Sequence, residues 1–221
     1  MKVALVGSGR TGSKVAELHQ DTVCFDQNNK PTLESLQACD VIICFLPGHV
    51  FTEYIDMFIA SKKPCVIGST GFVWNRTLLT QLEEKKLKWV NSHNFSLGMN
   101  LVKAMIEIMG KADKLFPGAE FSIHDIHHQH KVDSPSGTAL SWKQWLDKPA
   151  KITAERTGEV IGYHHIEMKS DVEKIKITHE ALDRGIFAKG ALWSAERLLS
   201  DKDIAYGLTQ FNNLVKKHLH V

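Results

Sequence analysis

No stretch of this 221-residue chain approaches the ~20 consecutive apolar residues that a helix needs to cross a bilayer, so no membrane-spanning helix is expected. Neither sign of charge dominates. A formal net charge of +2 argues against a dedicated nucleic-acid binder and leaves room for a small anionic ligand. Cysteine is scarce: Cys24, Cys39, Cys44 and Cys65 all fall in the first third, and none forms a C-x-x-C pair. Cys24, Cys44 and Cys65 sit in apolar runs, which reads as free thiols in a core rather than a disulfide or metal set. The opening MKVALVGSGRTG lacks the apolar region and small-residue cleavage site of a signal peptide, so the expected location is the cytoplasm. Repeats, low-complexity tracts and long linkers are also missing, which leaves a chain of one or two packed domains.

What is there begins with alternation. KVALVG, TVCF, DVIICFLP, PCVIG and KWVNS are short, Val- and Ile-rich runs that read as buried strands, with helical stretches near 11–20, 32–39, 50–61 and 74–86 between them. Strands alternating with helices predict a doubly wound parallel sheet. The first strand runs straight into GSGRTG, residues 7–12, and Asp26 ends the second strand about twenty residues on. A lone G-x-G-x-x-G is a weak signal; between a strand and a helix, with that acid, it is a dinucleotide fingerprint. Gly7 permits the tight turn, Gly9 the approach of a pyrophosphate, and Gly12 close helix–sheet packing. Ser8, Arg10 and Thr11 line the same loop, whose helix N-terminus favours phosphate. Asp26 can accept hydrogen bonds from ribose hydroxyls. Ligands of open α/β sheets bind beyond the carboxyl ends of the strands. That adds Phe45 from FLPG, Gly68, Ser69 and Thr70 from GSTGF, and Ser92, His93, Asn94 and Phe95 after the fifth strand. The nucleotide domain is expected over 1–96 and 188–221.

Residues 97–187 change character and predict a mixed α+β domain. LGMNLVKAMIEIMGKADKLF reads as one long amphipathic helix, AEFSIHDIHH, VIGYHHIEM and KIKITHEA as strands, and the closing AYGLTQFNNLVKKHL as helical. In KIKITHEA, Ile175, Ile177 and His179 share one face. The densest chemistry is HHQHKVDSPSGTA, residues 127–139. Lys131 offers a point charge and His128 a donor. Ser136, Gly137 and Thr138 open a helix, with Pro135 suited to its first turn, so that free backbone N–H groups can hold an anion. A histidine imidazole titrates near neutrality and suits proton transfer. His127 and His130 could bind zinc, yet no cysteine or second cluster completes a tetrahedron, so no metal is expected. His130 can equally serve a local hydrogen bond, and His164 or His165 can face either a ligand or the strand surface.

HHQHKVDSPSGTA resembles the hallmark segment of dihydrodipicolinate reductases. GSTGF, NFSLGMNL (94–101), RTGEVIGYH, ITHEA and RGIFAKGAL (184–192) are similar to further blocks of that family and occur in family order. The resemblance implies a Rossmann-like nucleotide domain and an α+β domain for substrate and oligomerisation. It implies reduction of a cyclic imine dicarboxylate by NADH or NADPH, with His127 as proton donor and Lys131 sharing catalysis and carboxylate binding. His128, Ser136, Gly137 and Thr138 are implied substrate contacts, and the assembly a homotetramer. The chain departs from the family in three places. Only thirteen residues separate Asp26 from Asp40, the segment between Asp147 and Arg156 is abbreviated, and Leu46 stands where members usually carry Thr or Ser. Two other readings stay open: a catalytically idle NAD(P)-binding regulator, and another nicotinamide dehydrogenase on the same fold.

Overall fold

The computed structural model describes residues 1–183 and 185–219. Arg184, the first residue of RGIFAKGAL, and the last two residues, His220 and Val221, lie outside them. The chain divides into two compact units, one built from residues 1–97 and 185–219, the other from Gly98–Asp183.

The first unit is a six-stranded, all-parallel sheet of β1 (Val3–Val6), β2 (Thr22–Phe25), β3 (Val41–Cys44), β4 (Cys65–Ile67), β5 (Lys88–Asn91) and β10 (Gly207–Gln210). The order is β10-β5-β4-β3-β1-β2. Alternate residues feed two cores, as the two-residue period of a strand requires. Val3, Leu5, Val41, Ile43, Val66 and Val90 face α1 (Arg10–Leu18), α7 (Gly185–Ser200) and α8 (Phe211–Leu219). Ala4, Val6, Ile42, Cys44, Ile67 and Trp89 face α2 (Leu33–Gln37), α3 (Gly48–Ser61) and α4 (Arg76–Glu84). Burial on both faces explains why β1, β3 and β4 read as unbroken apolar runs. All four cysteines are free thiols; three are buried and Cys24 is half-buried.

One stretch differs from expectation. GLTQ is a strand, not the start of a helix, and pairs with β5 through Gly207↔Lys88 to Gln210↔Asn91. Four residues with two polar members carry no strand signal of their own. The open edge of β5 supplies the hydrogen bonds that decide it.

The second unit holds a four-stranded sheet in the order β7-β6-β8-β9, from β6 (Glu120–His127), β7 (Lys151–Arg156), β8 (Tyr163–Lys169) and β9 (Lys174–Glu180). Strand β7 pairs parallel to β6, whereas β8 and β9 run antiparallel. Helices α5 (Leu97–Met109) and α6 (Gly137–Leu146) supply Met99, Val102, Ile106, Trp142 and Leu146 to its core. The long helix expected to reach Phe116 ends at Met109, and a short 3-10 turn at Ala112–Lys114 follows Gly110. Strand β7 carries no apolar alternation strong enough to announce itself. On edge strand β9 Ile177 is buried, whereas Ile175 is 40% exposed.

The inward face of this sheet changes chemistry one row at a time. Ile152, Ile123, Ile166 and Ile177 stand side by side across all four strands. Two residues further along β6 the row reads Ala154, Asp125, His164 and His179. The hydrophobic layer stops there and a buried polar one begins.

Candidate active site

In the first unit the strand order makes β1 and β3 neighbours, and the loops that follow them meet. Gly7 has φ +101°, and a Cβ there would lie 3.0 Å from the Phe45 carbonyl. Only glycine takes that conformation without strain. A Cβ on Gly12 would sit 2.0 Å from the Gly7 oxygen, whereas one on Gly9, the residue capping α1, would meet nothing within 4 Å. The three fingerprint glycines thus have three different surroundings: a reversed turn, a close contact and open space. Beside them lies a cleft of about 550 Å³ bounded by Gly7, Ser8, Gly9, Asp26, Lys30, Leu46, Glu53 and Tyr54. Oδ1 of Asp26 accepts the backbone N–H groups of Asn28 and Asn29 at 2.8 and 3.0 Å, which fixes the carboxylate at the cleft wall. This surround fits a dinucleotide's ribose and phosphates.

The other expected nucleotide residues divide. Arg10 and Thr11 open α1 directly after Gly9. Gly68, Thr70, Ser92, His93 and Asn94 lie at the carboxyl ends of β4 and β5, with Ser92 and Asn94 tied together through the Ser92 hydroxyl. Ser69 and Phe95 are buried, and Ser69 Oγ faces Cys44 Sγ at 3.7 Å. Phe95 packs between Phe45 and Phe211, with ring centroids 6.1 and 4.9 Å away. Their side chains hold the loops; only their backbone remains for a ligand.

The second unit gathers the histidine motif at the end of the polar row. His127 is the last residue of β6 and only 6% exposed. Its Nδ1 lies 3.4 Å from Oδ1 of Asp125, a fully buried carboxylate on the same face of the strand. That oxygen also accepts Arg156 Nη1 at 2.6 Å, and Oδ2 accepts the Ser136 backbone N–H at 2.7 Å. Burial would raise the Asp125 carboxyl, but these donors outweigh it and hold it at about 2. His127 is lowered from its ordinary value by burial, with Asp125 pulling the other way and Lys131 and Arg156 adding to the depression. His164 lies beside it, ring centroids 4.9 Å apart, and burial with the His127 neighbour lowers it to about 4.

The turn that follows builds the cradle. Ser136 caps α6, its Oγ accepting the Ala139 N–H at 3.1 Å while meeting His164 Nε2 at 3.1 Å. Its N–H and hydroxyl are both committed inside the protein. Gly137 and Thr138 form the first turn, where backbone N–H groups have no helical partner. Pro135 sits just before the cap, outside the first turn expected for it, because Ser136 takes the capping place. Lys131 is half-buried, its Nζ 2.7 Å from Asp133 Oδ1, and this contact leads the effects that lower the Asp133 carboxyl. His128 is half-buried, whereas His130 is exposed.

Asp125, His127 and His164 are a trio whose donor atoms lie within 4.8 Å of one another. A cation could be imagined there, but the Arg156 guanidinium already stands against Asp125. The family resemblance of HHQHKVDSPSGTA points to His127 and Lys131 and leaves Asp125 outside the motif. The one signal for Asp125 was an acid at an inward position of an alternating strand, two residues before His127. Arg156 opens the family-like block RTGEVIGYH, but nothing in the sequence linked it to Asp125, since β7 was not legible.

Comparison with known proteins agrees with this architecture. The profile described as dihydrodipicolinate reductase, C-terminus, matches residues 98–211, and that described as dihydrodipicolinate reductase, N-terminus, matches residues 25–95. A 4-hydroxy-tetrahydrodipicolinate reductase of Bdellovibrio bacteriovorus is 32% identical over 218 residues, covering 93% of each chain. One of Pelagibacter ubique is 31% identical, covering 82% of this chain and 79% of its own. Among solved structures, a dipicolinate-bound dihydrodipicolinate reductase from Paenisporosarcina sp. TG-14 shares the fold at TM-score 0.78 and 20% identity, covering 97% of this chain and 99% of that one. An aspartate dehydrogenase from Thermotoga maritima reaches TM-score 0.50 at 12% identity, covering 94% and 99%. With the nucleotide fingerprint, the histidine centre and both profiles in one chain, this protein belongs to the dihydrodipicolinate reductase family.

Proposed function

We propose that this chain reduces dihydrodipicolinate, formed from 4-hydroxy-tetrahydrodipicolinate, to tetrahydrodipicolinate with NADH or NADPH, a step of diaminopimelate and lysine biosynthesis. The observation that carries the reading is the buried His127 at a strand end, set beside Lys131 and the N-terminus of α6, where the Asp133 carboxylate accepts from both Lys131 and the Gly137 N–H. When bound, the nicotinamide nucleotide supplies a hydride. Gly7, Ser8, Gly9, Arg10, Thr11 and Gly12 would take its pyrophosphate and Asp26 its ribose, with Phe45, Gly68, Ser69, Thr70, Ser92, His93, Asn94 and Phe95 contributing the neighbouring loops.

Lys131 and the N–H groups of Gly137 and Thr138 would hold one substrate carboxylate, which would take over the lysine and the Gly137 N–H from Asp133. His128 would donate to the ligand, and Ser136 would act from behind by fixing the turn. Hydride arrival leaves an electron-rich ring carbon that must gain a proton, and His127 would give it. In the free protein the ring favours its neutral form. A bound dicarboxylate brings negative charge beside it and favours the imidazolium, so proton uptake should accompany binding. No step needs a metal.

Asp26 repels a 2′-phosphate, while Arg10 and Lys30 offset that repulsion, so both cofactors should work and NADH at least as well. The face of the second sheet turned away from α5 and α6 carries Tyr163 and His165 in a half-buried state. A homotetramer formed through that sheet would cover it, and light scattering at micromolar concentration should give four chains. No nucleic-acid or membrane partner is proposed, and the expected location is the cytoplasm. The decisive assay is loss of NADH absorbance with substrate generated in situ from pyruvate and aspartate semialdehyde. An inactive protein that still binds NADH would favour the idle regulator.

A further inference from the structure

Asp125 is not one of the groups assigned above to nucleotide or substrate, yet it is the most highly connected polar side chain of the centre. It is fully buried and receives three contacts from three elements: Ser136 N–H at the start of α6, Arg156 Nη1 on β7, and His127 Nδ1 on its own strand. A residue two places before His127 on a strand shares its face, so the carboxylate reaches the near side of the ring. An ionised carboxylate can only accept hydrogen bonds. Nδ1 facing it must therefore carry hydrogen, and Nε2 is left as the working nitrogen. Nε2 points toward Gly162, where a Cβ would lie 3.3 Å from it. Glycine at 162 leaves that nitrogen approachable.

We propose that Asp125 is a positioning residue: it fixes His127 as the Nδ1–H tautomer with Nε2 toward the substrate, and ties the α6 cradle to the same strand through Ser136. The inference rests on the reading of His127 as proton donor. The charged and titratable groups around the ring are Asp125 on β6, Lys131 from the turn, Arg156 on β7 and His164 on β8. Among the described residues around the ring only Asp125 is negative, and it favours the imidazolium that must form before a proton is given. The separation of 3.4 Å is long for such a pair, as is common before substrate binds.

The experiment is nitrogen-15 NMR of the histidine rings in the whole protein, wild type against Asp125→Asn and Asp125→Glu, together with steady-state kinetics. In the wild type His127 should show the Nδ1–H tautomer at neutral pH. In Asp125→Asn the ring should lose that preference and titrate at lower pH, with kcat down by about 10²–10⁴ and the KM for NADH within about twofold. Asp125→Glu should restore the tautomer and part of kcat. A wild-type His127 in the Nε2–H form overturns the proposal without any variant, including the case where Asp125→Asn does not fold. Loss of kcat with tautomer and titration unchanged overturns it too, leaving Asp125 as scaffold. If the tautomer shifts as expected but the wild type reduces no substrate, the proposed reaction fails and the positioning role stands.

Discussion

Acid should destabilise this protein well before its carboxylates protonate, and His164 is the main cause. The ring lies under Trp142, 5.6 Å between centroids, and is 4% exposed. Burial lowers it from 6.5 to about 4. Its folded value is depressed, so the unfolded chain binds the extra proton between those two limits. The stability it contributes is complete above pH 6.5 and is lost as pH falls toward 4. Each pH unit in the window costs about 1.4 kcal/mol per such group, and the whole shift costs about 3 kcal/mol. Against a total stability of roughly 5–15 kcal/mol that is a large share. His127, His165 and His179 are lowered by burial as well and act in the same direction. Asp125 is held at about 2, so its contribution disappears only in stronger acid, below the ordinary carboxylate range. The test is urea unfolding followed by circular dichroism at pH 7.5, 6.5, 5.5 and 4.5, for wild type and His164→Phe. The phenyl ring keeps the contact with Trp142, and Ser136 Oγ still accepts from Ala139. The variant should lose stability less steeply with falling pH, by about 1.4 kcal/mol per unit. An unchanged slope would refute the argument that a buried neutral His164 drives the acid response.

The remaining predictions concern the two sites. His127→Gln should lower kcat by roughly 10²–10⁴ with little change in KM, whereas Lys131→Met should depress kcat/KM and raise the substrate KM; both should bind NADH normally by fluorescence titration. A His127→Gln enzyme with near-normal kcat would remove this ring from the chemistry. Gly12→Ala places a methyl 2.0 Å from the Gly7 oxygen, so the turn must shift; about 1–3 kcal/mol of stability and most of the NADH affinity should go, read by thermal melting and titration. For cofactor choice, kcat/KM with NADPH should not exceed that with NADH, and a tenfold NADPH advantage would show that Asp26 does not govern the ribose.

Local sequence determined a good deal. The runs VALV, VIIC and CVI became β1, β3 and β4 because a strand buried on both faces has no solvent side to encode, and TVCF and KWVN, with polar residues at their ends, became β2 and β5. Gly7 and Gly12 are demanded by backbone conformation and close packing, and Gly9 completes the G-x-G-x-x-G spacing that announced a nucleotide loop. The motif from His127 to Thr138 announced a site because its residue types are chemically costly to crowd together without use. Other features depended on partners far away in the chain. GLTQ is a strand only because β5 offers an open edge, and KITAER only because β6 does. Asp125 gained its role from Arg156, 31 residues on, and from a backbone N–H at Ser136, neither of which any local pattern connects to it. Ser136 looked like a ligand contact in sequence, but folding turned its N–H and hydroxyl inward to Asp125, Ala139 and His164. Periodicity reports which face of an element is buried; which polar groups meet on that face depends on the register between strands, and only the assembled sheet sets it.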